Sequence, residues 1–259
     1  MASTRREKEL ARLRAERQAA RRAEAAARRR RRTSVIASAT AVALVAAAAT
    51  YIGLSSRDGD DTTATASPSP SASGPCTYEP SGEPSKPVEP PPATPTATGP
   101  VTATMTTDQG VVTWSLLTDR APCASGSMIS LAAQGYYDGT PCHRLTTEGI
   151  FVLQCGDPLG TGQGGPGYQF AEENLEGATY PRGTLAMAKT SEPGTSGSQF
   201  FLVYQDTQLP PEYTPFGTIT SGLEVLDKVA AAGATEDPTT GNTAPNLKVN
   251  IQTLTTAPA

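Results

Sequence analysis

The chain contains one histidine, and this limits the chemistry that its side chains can perform. A serine or cysteine nucleophile requires a neighbouring base, which is usually a histidine. The candidate base is His143, which lies beside Arg144 in a predicted strand. We interpret His143 as a structural hydrogen-bonding residue, so the composition argues against catalysis by a nucleophilic triad.

Four cysteines are the other residues that could bind a metal or form a covalent link. None forms a CxxC pair, and with one histidine they do not give the close spacing of a zinc site. In an extracytoplasmic protein, four cysteines are more typical of two disulfides. The pairings that we expect are Cys142–Cys155 and Cys76–Cys123.

The expected Cys142–Cys155 bridge meets a geometric difficulty. Alternate residues of a regular strand face opposite sides, so Cys142 would share the face of Arg144. By the same rule, Cys155 would lie on the face opposite Gln154. If Arg144 and Gln154 share a face, the bridge requires a bulge or a register shift.

A glycine-rich segment at 160–165 has the spacing GxGxxG. In a dinucleotide site, this spacing connects a strand to a helix whose N-terminus binds the phosphates. Here Pro166 and Gly167 follow directly and block the start of a helix. We therefore predict a surface loop, where the absence of side chains lets a peptide backbone approach closely.

The charge of the chain is divided unevenly. Residues 1–32 have a net charge of +9, and the rest of the chain has a net charge of −13. Because nucleic acid binding requires clustered Lys and Arg, the acidic part argues against nucleic acid as the main partner. We interpret residues 1–32 as a basic cytoplasmic tail that sets membrane topology. The alternative is that this tail binds anionic lipid or nucleic acid.

An uncharged run of 20 residues, 35–54, follows the basic tail. Its length matches one helical crossing of a bilayer core about 30 Å thick, so we assign residues 33–54 to a transmembrane anchor. Positive flanks stay in the cytoplasm, which places the rest of the chain outside the cell. The alternative is a cleaved signal peptide, with the small residues at 46–49 as the cleavage site.

Residues 55–100 contain 11 of the 23 prolines, together with many Ser and Thr residues. Such a segment buries too little apolar surface to offset the entropy that is lost on ordering. We therefore predict a disordered, extended linker. Cys76 is the exception, because a cysteine in a linker suggests attachment to another part of the protein.

Residues 101–259 have the pattern of a folded β domain. Alternating residues on both sides of 108–110 predict a hairpin. Two helices are predicted at 122–134 and 223–231, each ending near a glycine, and residues 247–253 alternate as a closing strand. Short strands separated by Gly and Pro, with only two predicted helices, favour a closed β-barrel with one core.

Three sequence blocks in this domain carry a family resemblance. They are HRLTTEGIFVLQCGDPLGTGQGGPGY at 143–168, PRGTLAMAKTSEPGTSGSQFFLVY at 181–204 and PFGTITSGLEVLDKV at 215–229. In order and spacing they closely resemble the cyclophilins, the cyclosporin-binding family of peptidyl-prolyl cis-trans isomerases. The resemblance covers roughly residues 101–255. It implies a closed antiparallel barrel capped by two helices, and an isomerase that uses no cofactor and no metal.

By this resemblance, Arg144 is the catalytic residue of the family's His-Arg pair, and Gln154 contacts the substrate or holds Arg144 in place. Peptide-bond rotation faces a barrier of about 18–20 kcal/mol, because resonance spreads the nitrogen lone pair into the carbonyl. In the twisted transition state, the lone pair localises on the prolyl nitrogen. A guanidinium with oriented N–H donors can stabilise that state in a water-poor groove without a covalent step.

The resemblance also implies which residues bind the substrate. The proline ring would enter a dry pocket whose walls are Phe151, Val152, Phe201, Leu209 and Tyr213. The residues that would line the adjoining groove or hydrogen-bond to the peptide are Gly162, Ala188, Lys189, Thr190 and Gln199. Phe200 is expected to lie in the core, because neighbouring strand residues face opposite sides.

Three positions depart from the family pattern. Gln208 replaces the usual tryptophan, Tyr213 replaces the usual histidine, and Lys189 replaces the usual asparagine. None of these changes removes Arg144 or the core of the proline pocket. We therefore expect weak cyclosporin binding with catalysis retained, together with an altered substrate preference.

These inferences combine into one hypothesis and one rival. The sequence predicts a monomeric, single-pass, membrane-anchored isomerase whose domain lies outside the cytoplasm and acts on X-Pro bonds in peptides and unfolded proteins. The rival is a proline-peptide binding module or chaperone with incidental catalysis. The presence of Arg144 favours the enzyme, because binding alone does not require a donor to the transition state.

Overall fold

Short antiparallel strands make up most of the regular secondary structure. The computed structural model describes residues 74–97, 99–236 and 243–259. In these residues the strands are β1 (Glu79–Pro80), β2 (Val101–Thr107), β3 (Gly110–Leu116), β4 (Thr140–Pro141), β5 (Arg144–Thr146), β6 (Val152–Cys155), β7 (Tyr168–Gln169), β8 (Thr184–Met187), β9 (Phe200–Val203), β10 (Pro215–Ser221), β11 (Ala234–Glu236), β12 (Thr243–Pro245) and β13 (Asn250–Pro258). The helices are α1 (Pro122–Ala133) and α2 (Leu223–Ala231).

Strands β2 and β3 form the hairpin that the alternating sequence predicts. The pairs run from Val101 opposite Leu116 to Thr107 opposite Gly110. Every second side chain of β2 is buried, as expected for a strand with one face on a core. The Thr107 hydroxyl accepts hydrogen bonds from the backbone N–H groups of Gln109 (3.0 Å) and Gly110 (3.1 Å), which stabilises the turn.

Nine strands of the described residues form one antiparallel sheet in the order β4-β13-β2-β3-β10-β8-β9-β6-β5. The edge strands β4 and β5 are neighbours in the chain, separated by Cys142 and His143. The Cys142 N–H donates to the Val249 carbonyl (2.9 Å), and the His143 N–H donates to the Gln154 carbonyl (3.0 Å). The sheet therefore curls until its two edges meet through the chain itself.

This arrangement corrects one part of the predicted barrel. The sheet is antiparallel and curled, and two helices accompany it, as the sequence predicts. Strand pairing does not close the sheet into a barrel. Edge strand β4 pairs with β13 and edge strand β5 pairs with β6, but the described residues contain no pairing between β4 and β5. The connection between the two edges is the covalent chain at Cys142 and His143.

The closing strand β13 lies three residues farther along the chain than the predicted 247–253. The residues just before it make other contacts. The Asn246 N–H donates to the Gly233 carbonyl (3.0 Å), and the Val249 carbonyl accepts from the Cys142 N–H between β4 and β5. Regular pairing with β2 therefore begins only after Val249.

Both helices contribute buried side chains to the main core beneath the sheet, among them Leu131 of α1 and Val229 of α2. The first backbone N–H groups of a helix have no partner within it. At α1, the Glu173 carboxylate accepts hydrogen bonds from the N–H groups of Cys123 (3.1 Å) and Ala124 (2.9 Å). Burial raises the pKa of Glu173, and these two donors offset the effect only in part.

Both expected disulfides, Cys142–Cys155 and Cys76–Cys123, are present. Cys142 and Cys155 are buried in the main core. Cys142 lies between β4 and β5 and belongs to neither strand. Its side chain therefore need not share the face of Arg144, and the bridge requires no bulge or register shift. Arg144 and Gln154 can therefore pair across β5 and β6 while the disulfide lies in the core.

Residues 74–97 lie along the domain, and we call this segment the strap. The Cys76–Cys123 disulfide attaches its start to α1. The Tyr78 ring packs edge-on against the rings of Tyr168 and Phe170, at centroid distances of 5.3 and 5.5 Å. The Tyr78 hydroxyl donates to the Cys123 carbonyl (2.9 Å). The first part of the strap is thus bonded covalently and by aromatic packing.

Further contacts hold the middle of the strap. Strand β1 pairs with β7. The Lys86 ammonium donates to the carbonyls of Gly135 (3.4 Å), Tyr136 (3.1 Å) and Asp138 (2.5 Å), just beyond the C-terminal end of α1, where a cation is favoured. The prediction of a disordered linker is therefore wrong for residues 74–97. Composition does not reveal these stabilising contacts with distant residues.

The rest of the predicted N-terminal organisation falls outside the described residues. This applies to the basic tail 1–32, the anchor 33–54 and the linker residues 55–73. Among the described residues, no helix is both long enough and apolar enough to cross a membrane. The anchor remains a prediction from the sequence.

Removing the Cys76–Cys123 bridge is expected to lower the free energy of unfolding by about 2–4 kcal/mol, the usual effect of a bridge that closes a loop of this size. The two cysteines are separated by 47 residues. A Cys76→Ser/Cys123→Ser double variant avoids a free thiol, and urea unfolding followed by tryptophan fluorescence measures the change. An unchanged unfolding midpoint would show that the bridge does not stabilise the domain.

Candidate active site

Strand pairing places four residues in one row across the sheet. Arg144 lies opposite Gln154, Gln154 lies opposite Phe201, and Phe201 lies opposite Ala186. The adjacent row consists of leucines that belong to the main core: Leu145, Leu153, Leu202 and Leu185. Because successive residues face opposite sides of a sheet, the row that contains Arg144 faces outward.

A second apolar cluster lies on this outward face, and we call it the outer cluster. Its buried members are Val152, Tyr180, Ala186, Phe201 and Val203. The partly buried residues around them are Ile150, Ala178, Ala188, Leu209 and Tyr213. Phe200 lies in the main core and Phe201 in the outer cluster, as expected for neighbours on a strand. An apolar surface therefore lies next to a guanidinium.

Tyr180 positions Tyr213 within the outer cluster. The Tyr180 hydroxyl donates to the Tyr213 carbonyl (2.8 Å) and accepts from the Tyr213 N–H (3.0 Å). The Phe201 ring meets the Tyr213 ring edge-on at a centroid distance of 5.7 Å. Tyr180 is not among the site residues predicted from the sequence. Its place just before the second family-like block is the sole sequence signal for it.

Hydrogen bonds connect Arg144 to the glycine-rich loop through two glutamines. The Arg144 guanidinium donates to the side-chain oxygen of Gln154 (3.3 Å), and the Gln154 amide donates to that of Gln199 (2.8 Å). The Gln199 amide donates to the carbonyls of Gly162 (3.1 Å) and Gly164 (2.9 Å). This series orients both amides and restrains the guanidinium.

The carboxylate of Asp157 holds the glycine-rich loop. It accepts hydrogen bonds from the backbone N–H groups of Leu159 (2.8 Å), Thr161 (2.9 Å) and Gly162 (2.7 Å). Burial raises the pKa of Asp157, but the backbone donors outweigh burial and hold the pKa below its ordinary value. A Cβ atom on Gly164 would lie 1.8 Å from a carboxylate oxygen, so this position requires glycine.

The glycine-rich loop at 160–165 leads into β7, so the helix that a dinucleotide motif requires does not follow it. This agrees with the prediction of a surface loop. Asp157 is not among the site residues predicted from the sequence. The Asp-Pro pair at 157–158 is a turn signal, but it does not reveal that the carboxylate binds the loop backbone.

Arg144 carries a positive charge at the edge of the outer cluster. Burial lowers the pKa of its guanidinium, and the nearby Tyr213 partly offsets this change. No carboxylate of the described residues forms an ion pair with Arg144. Gln154 uses one of the five N–H donors of the guanidinium, so donors remain for a bound ligand.

A groove of about 640 Å³ adjoins the outer cluster. The predicted substrate-binding residues that line it are Gly162, Ala188, Lys189, Thr190 and Gln199, and Gln154 lies beside them. The Lys189 ammonium lies 5.7 Å from the centre of the Tyr213 ring, a cation–π distance. Ala188 belongs to both features, so the groove and the outer cluster form one continuous surface.

One predicted pocket residue and one position that departs from the family pattern lie outside both the groove and the outer cluster. Phe151 precedes β6 and packs at the edge of the main core, with its ring 6.0 Å from that of Tyr204, whereas Val152 belongs to the outer cluster. The structure therefore does not place Phe151 with the other predicted walls of the proline pocket. Gln208 is exposed and lines a smaller cavity of about 180 Å³ next to Leu209.

His143 is buried in the crossing between β4 and β5 and does not lie in a strand. In the described residues neither of its ring nitrogens forms a hydrogen bond, which corrects the expectation of a hydrogen-bonding residue. Burial lowers the pKa of the ring. The Asp157 carboxylate and the Gln199 amide oppose this shift without reaching hydrogen-bond geometry, whereas Arg144 reinforces it.

The lowered pKa of His143 predicts a loss of stability in mild acid. Such a group stabilises the fold above its ordinary pKa of 6.5, and this stabilisation is lost as the pH falls towards and through the folded-state pKa. The melting temperature of the unmodified chain should therefore fall relative to that of His143→Gln between about pH 7.5 and pH 5. Parallel melting curves across this range would contradict the prediction.

The curled antiparallel sheet, the outward-facing Arg144 and the outer cluster define a family. Residues 102–256, more than half of the chain, match the model of the cyclophilin-type peptidyl-prolyl cis-trans isomerases. The chain belongs to this family.

Two curated mycobacterial proteins are similar to it. A probable peptidyl-prolyl cis-trans isomerase B of Mycobacterium leprae is 47% identical over 196 residues, covering 69% of this chain and 65% of that protein. The protein of the same name in Mycobacterium tuberculosis is 49% identical over 175 residues, covering 61% of this chain and 56% of that protein. The chain thus spans less than two thirds of either relative. The first match covers a larger share of the chain than residues 102–256 do, so it includes residues outside that span.

Solved structures agree with the family assignment. A crystal structure of a cyclophilin-type isomerase from Cryptosporidium parvum matches with a TM-score of 0.55 at 30% identity, covering 62% of this chain and 99% of that chain. A second structure of that protein, determined in the presence of the dipeptide Ala-Pro, gives a TM-score of 0.54 at 32% identity. It covers 61% of this chain and 99% of that chain.

Proposed function

We propose that the chain is a peptidyl-prolyl cis-trans isomerase that stabilises the twisted X-Pro amide without a covalent step. The position of Arg144 is the observation that supports this most directly. Its guanidinium is bound to Gln154, and Gln154 pairs with Phe201 of the outer cluster. A restrained donor group therefore lies beside an apolar surface of the kind that a proline ring requires.

In this proposal the outer cluster binds the proline ring and excludes water. Phe201 is its buried floor, and Val152, Leu209 and Tyr213 surround it. Arg144 then donates an N–H to the prolyl nitrogen, whose lone pair becomes available only when the amide is twisted. Because this interaction is stronger in the transition state than in either planar state, it lowers the barrier.

The remaining polar residues position the peptide. Gln154 and Gln199 are connected to each other and to the glycine-rich loop, so their orientation is set before the substrate binds. Ala188, Lys189 and Thr190 line the groove for the residue that precedes the proline. This chemistry requires no metal and no cofactor.

The second candidate function is a proline-peptide binding module or chaperone with incidental catalysis. The strap supports this second function, because the strap extends the groove beyond the residues that the family model matches. Exchange NMR on an alanine-based proline peptide distinguishes the two functions. The full chain, added in catalytic amounts, should accelerate exchange, which is otherwise complete in about 10–100 s. Binding of the peptide without acceleration would refute the isomerase proposal and favour the binding module.

We further propose that the domain is monomeric, lies outside the cytoplasm and is anchored by residues 33–54. The basic residues 1–32 before the apolar run support this orientation, and two disulfides are typical of an oxidising compartment. Protease added to intact spheroplasts should release a fragment that begins within residues 55–73. Protection of the domain until lysis would exclude this orientation.

A further inference from the structure

The strap forms one wall of the groove. The strap residues that line it are Ser81, Gly82, Glu83 and Ser85, together with Ala188, Lys189 and Thr190 on the domain. The strap precedes residues 102–256 and therefore lies outside the part of the chain that the cyclophilin model matches. This wall is an addition that the family assignment does not account for.

Backbone hydrogen bonds hold this wall in place. The Ser81 N–H donates to the Gly167 carbonyl (2.8 Å), and the Ser85 N–H donates to the Gly165 carbonyl (2.9 Å). In return, the Gly165 N–H donates to the Ser85 hydroxyl (3.0 Å). The groove wall is thus formed before a ligand arrives, which reduces the entropy lost on binding.

Glu83 supplies the charge of this wall. Its side chain is exposed, and within the described residues no hydrogen bond or ion pair engages it. Among the described residues that line the groove, Lys189 is the other charged one. Its ammonium is held over the Tyr213 ring and donates to the Thr190 carbonyl (3.2 Å). The strap end of the groove therefore carries an uncompensated negative charge.

An exposed apolar residue lies in the same groove. Leu159 is 60% exposed and belongs to the groove lining. A lysine or arginine side chain can cover such a residue with its methylene groups while its charged end stays in contact with water or an acid. Leu159 and Glu83 together therefore match a long basic side chain better than a short or acidic one.

The proposed function gives the direction in which a substrate enters this groove. With the proline at Phe201 and the preceding residue at Ala188, the residues farther towards the substrate's N-terminus extend along the groove. Each residue of an extended chain spans about 3.3–3.6 Å, so a groove of about 640 Å³ has room for several. The strap lines the same groove, so it is a wall that these residues can contact.

We propose that residues 81–85 of the strap form a substrate subsite in which Glu83 selects a basic side chain N-terminal to the proline. This inference rests on the proposed function, because it takes the outer cluster as the binding site of the proline ring. The ligand is a proline peptide with Lys or Arg a few residues before the proline.

The test compares alanine-based peptides with Lys or Glu at the second, third or fourth position before the proline, using the full chain. At low ionic strength we expect kcat/KM to be about fivefold higher for Lys than for Glu at one of these positions. Salt at about 0.5 M should reduce this ratio by screening. Glu83→Gln should bring the ratio close to one. Glu79→Gln, which removes a strap charge outside the groove lining, should leave the ratio unchanged.

Two results would overturn the subsite. One is a ratio near one at all three positions in the unmodified chain, and the other is a ratio that Glu83→Gln does not change. Arg144→Ala separates this failure from failure of the proposed function. If the all-alanine peptide is still turned over normally by Arg144→Ala, the proposed site is wrong. If turnover falls in Arg144→Ala while Glu83→Gln leaves the ratio intact, the strap subsite alone is wrong.

Discussion

Replacement of Arg144 by alanine should lower kcat/KM for a proline peptide by about two orders of magnitude, the usual effect of losing one oriented donor to a transition state. The guanidinium lies at the edge of the outer cluster and is half-buried, so the fold and peptide binding should largely remain. Exchange NMR gives the turnover, and peptide titration and thermal unfolding give the two controls.

Two further variants show whether charge or geometry matters at Arg144. Arg144→Lys keeps the charge but loses the planar group of donors, so it should recover only part of the lost activity. Arg120→Ala removes an exposed arginine before α1 and should not change turnover. Near-normal turnover by Arg144→Ala would show that the guanidinium is not the catalytic group.

The largest loss of stability among the site residues is expected for Phe201→Ala, at about 3–5 kcal/mol. Phe201 is 4% exposed, and its ring contacts that of Tyr213. Truncation removes the floor of the outer cluster, so binding of a proline peptide should weaken at the same time. Urea unfolding measures the stability, and peptide titration well below the melting temperature measures the binding.

Phe200→Ala is the matched control for Phe201→Ala. The two phenylalanines are neighbours in β9, but Phe200 is fully buried in the main core. Its truncation should destabilise the domain by a similar amount and leave peptide affinity nearly unchanged in the folded protein. Equal loss of affinity in both variants would mean that the outer cluster does not bind the peptide directly.

Local patterns predicted much of the fold. The β2–β3 hairpin, both helices and the division between Phe200 and Phe201 follow from alternation, helix periodicity and glycine positions, which act over a few residues. The strap was not predictable in this way. Its composition is that of a disordered linker, and its order depends on contacts such as Tyr78 with Tyr168, which are far apart in the sequence.

In the candidate site, too, some residues were predictable from the sequence and others were not. Arg144, Gln154 and Gln199 could be named from the family-like blocks, and the structure connects them by hydrogen bonds. Asp157 and Tyr180 could not, because both act by binding backbone groups of loops whose path the sequence does not reveal. The packing of Phe151 against the main core likewise depends on the pairing of β6, which begins at the next residue.

The place of β13 in the sheet bears on when the domain can fold. This strand ends at Pro258, yet it lies between β4 and β2, and Pro258 pairs with Val101 at the start of β2. A chain is synthesised from its N-terminus at about 5–20 residues per second, so β2 cannot pair with this neighbour until all the other described strands have been made. Because contacts that span the whole domain must form before the sheet is continuous, the domain cannot complete its sheet before β13 has been synthesised.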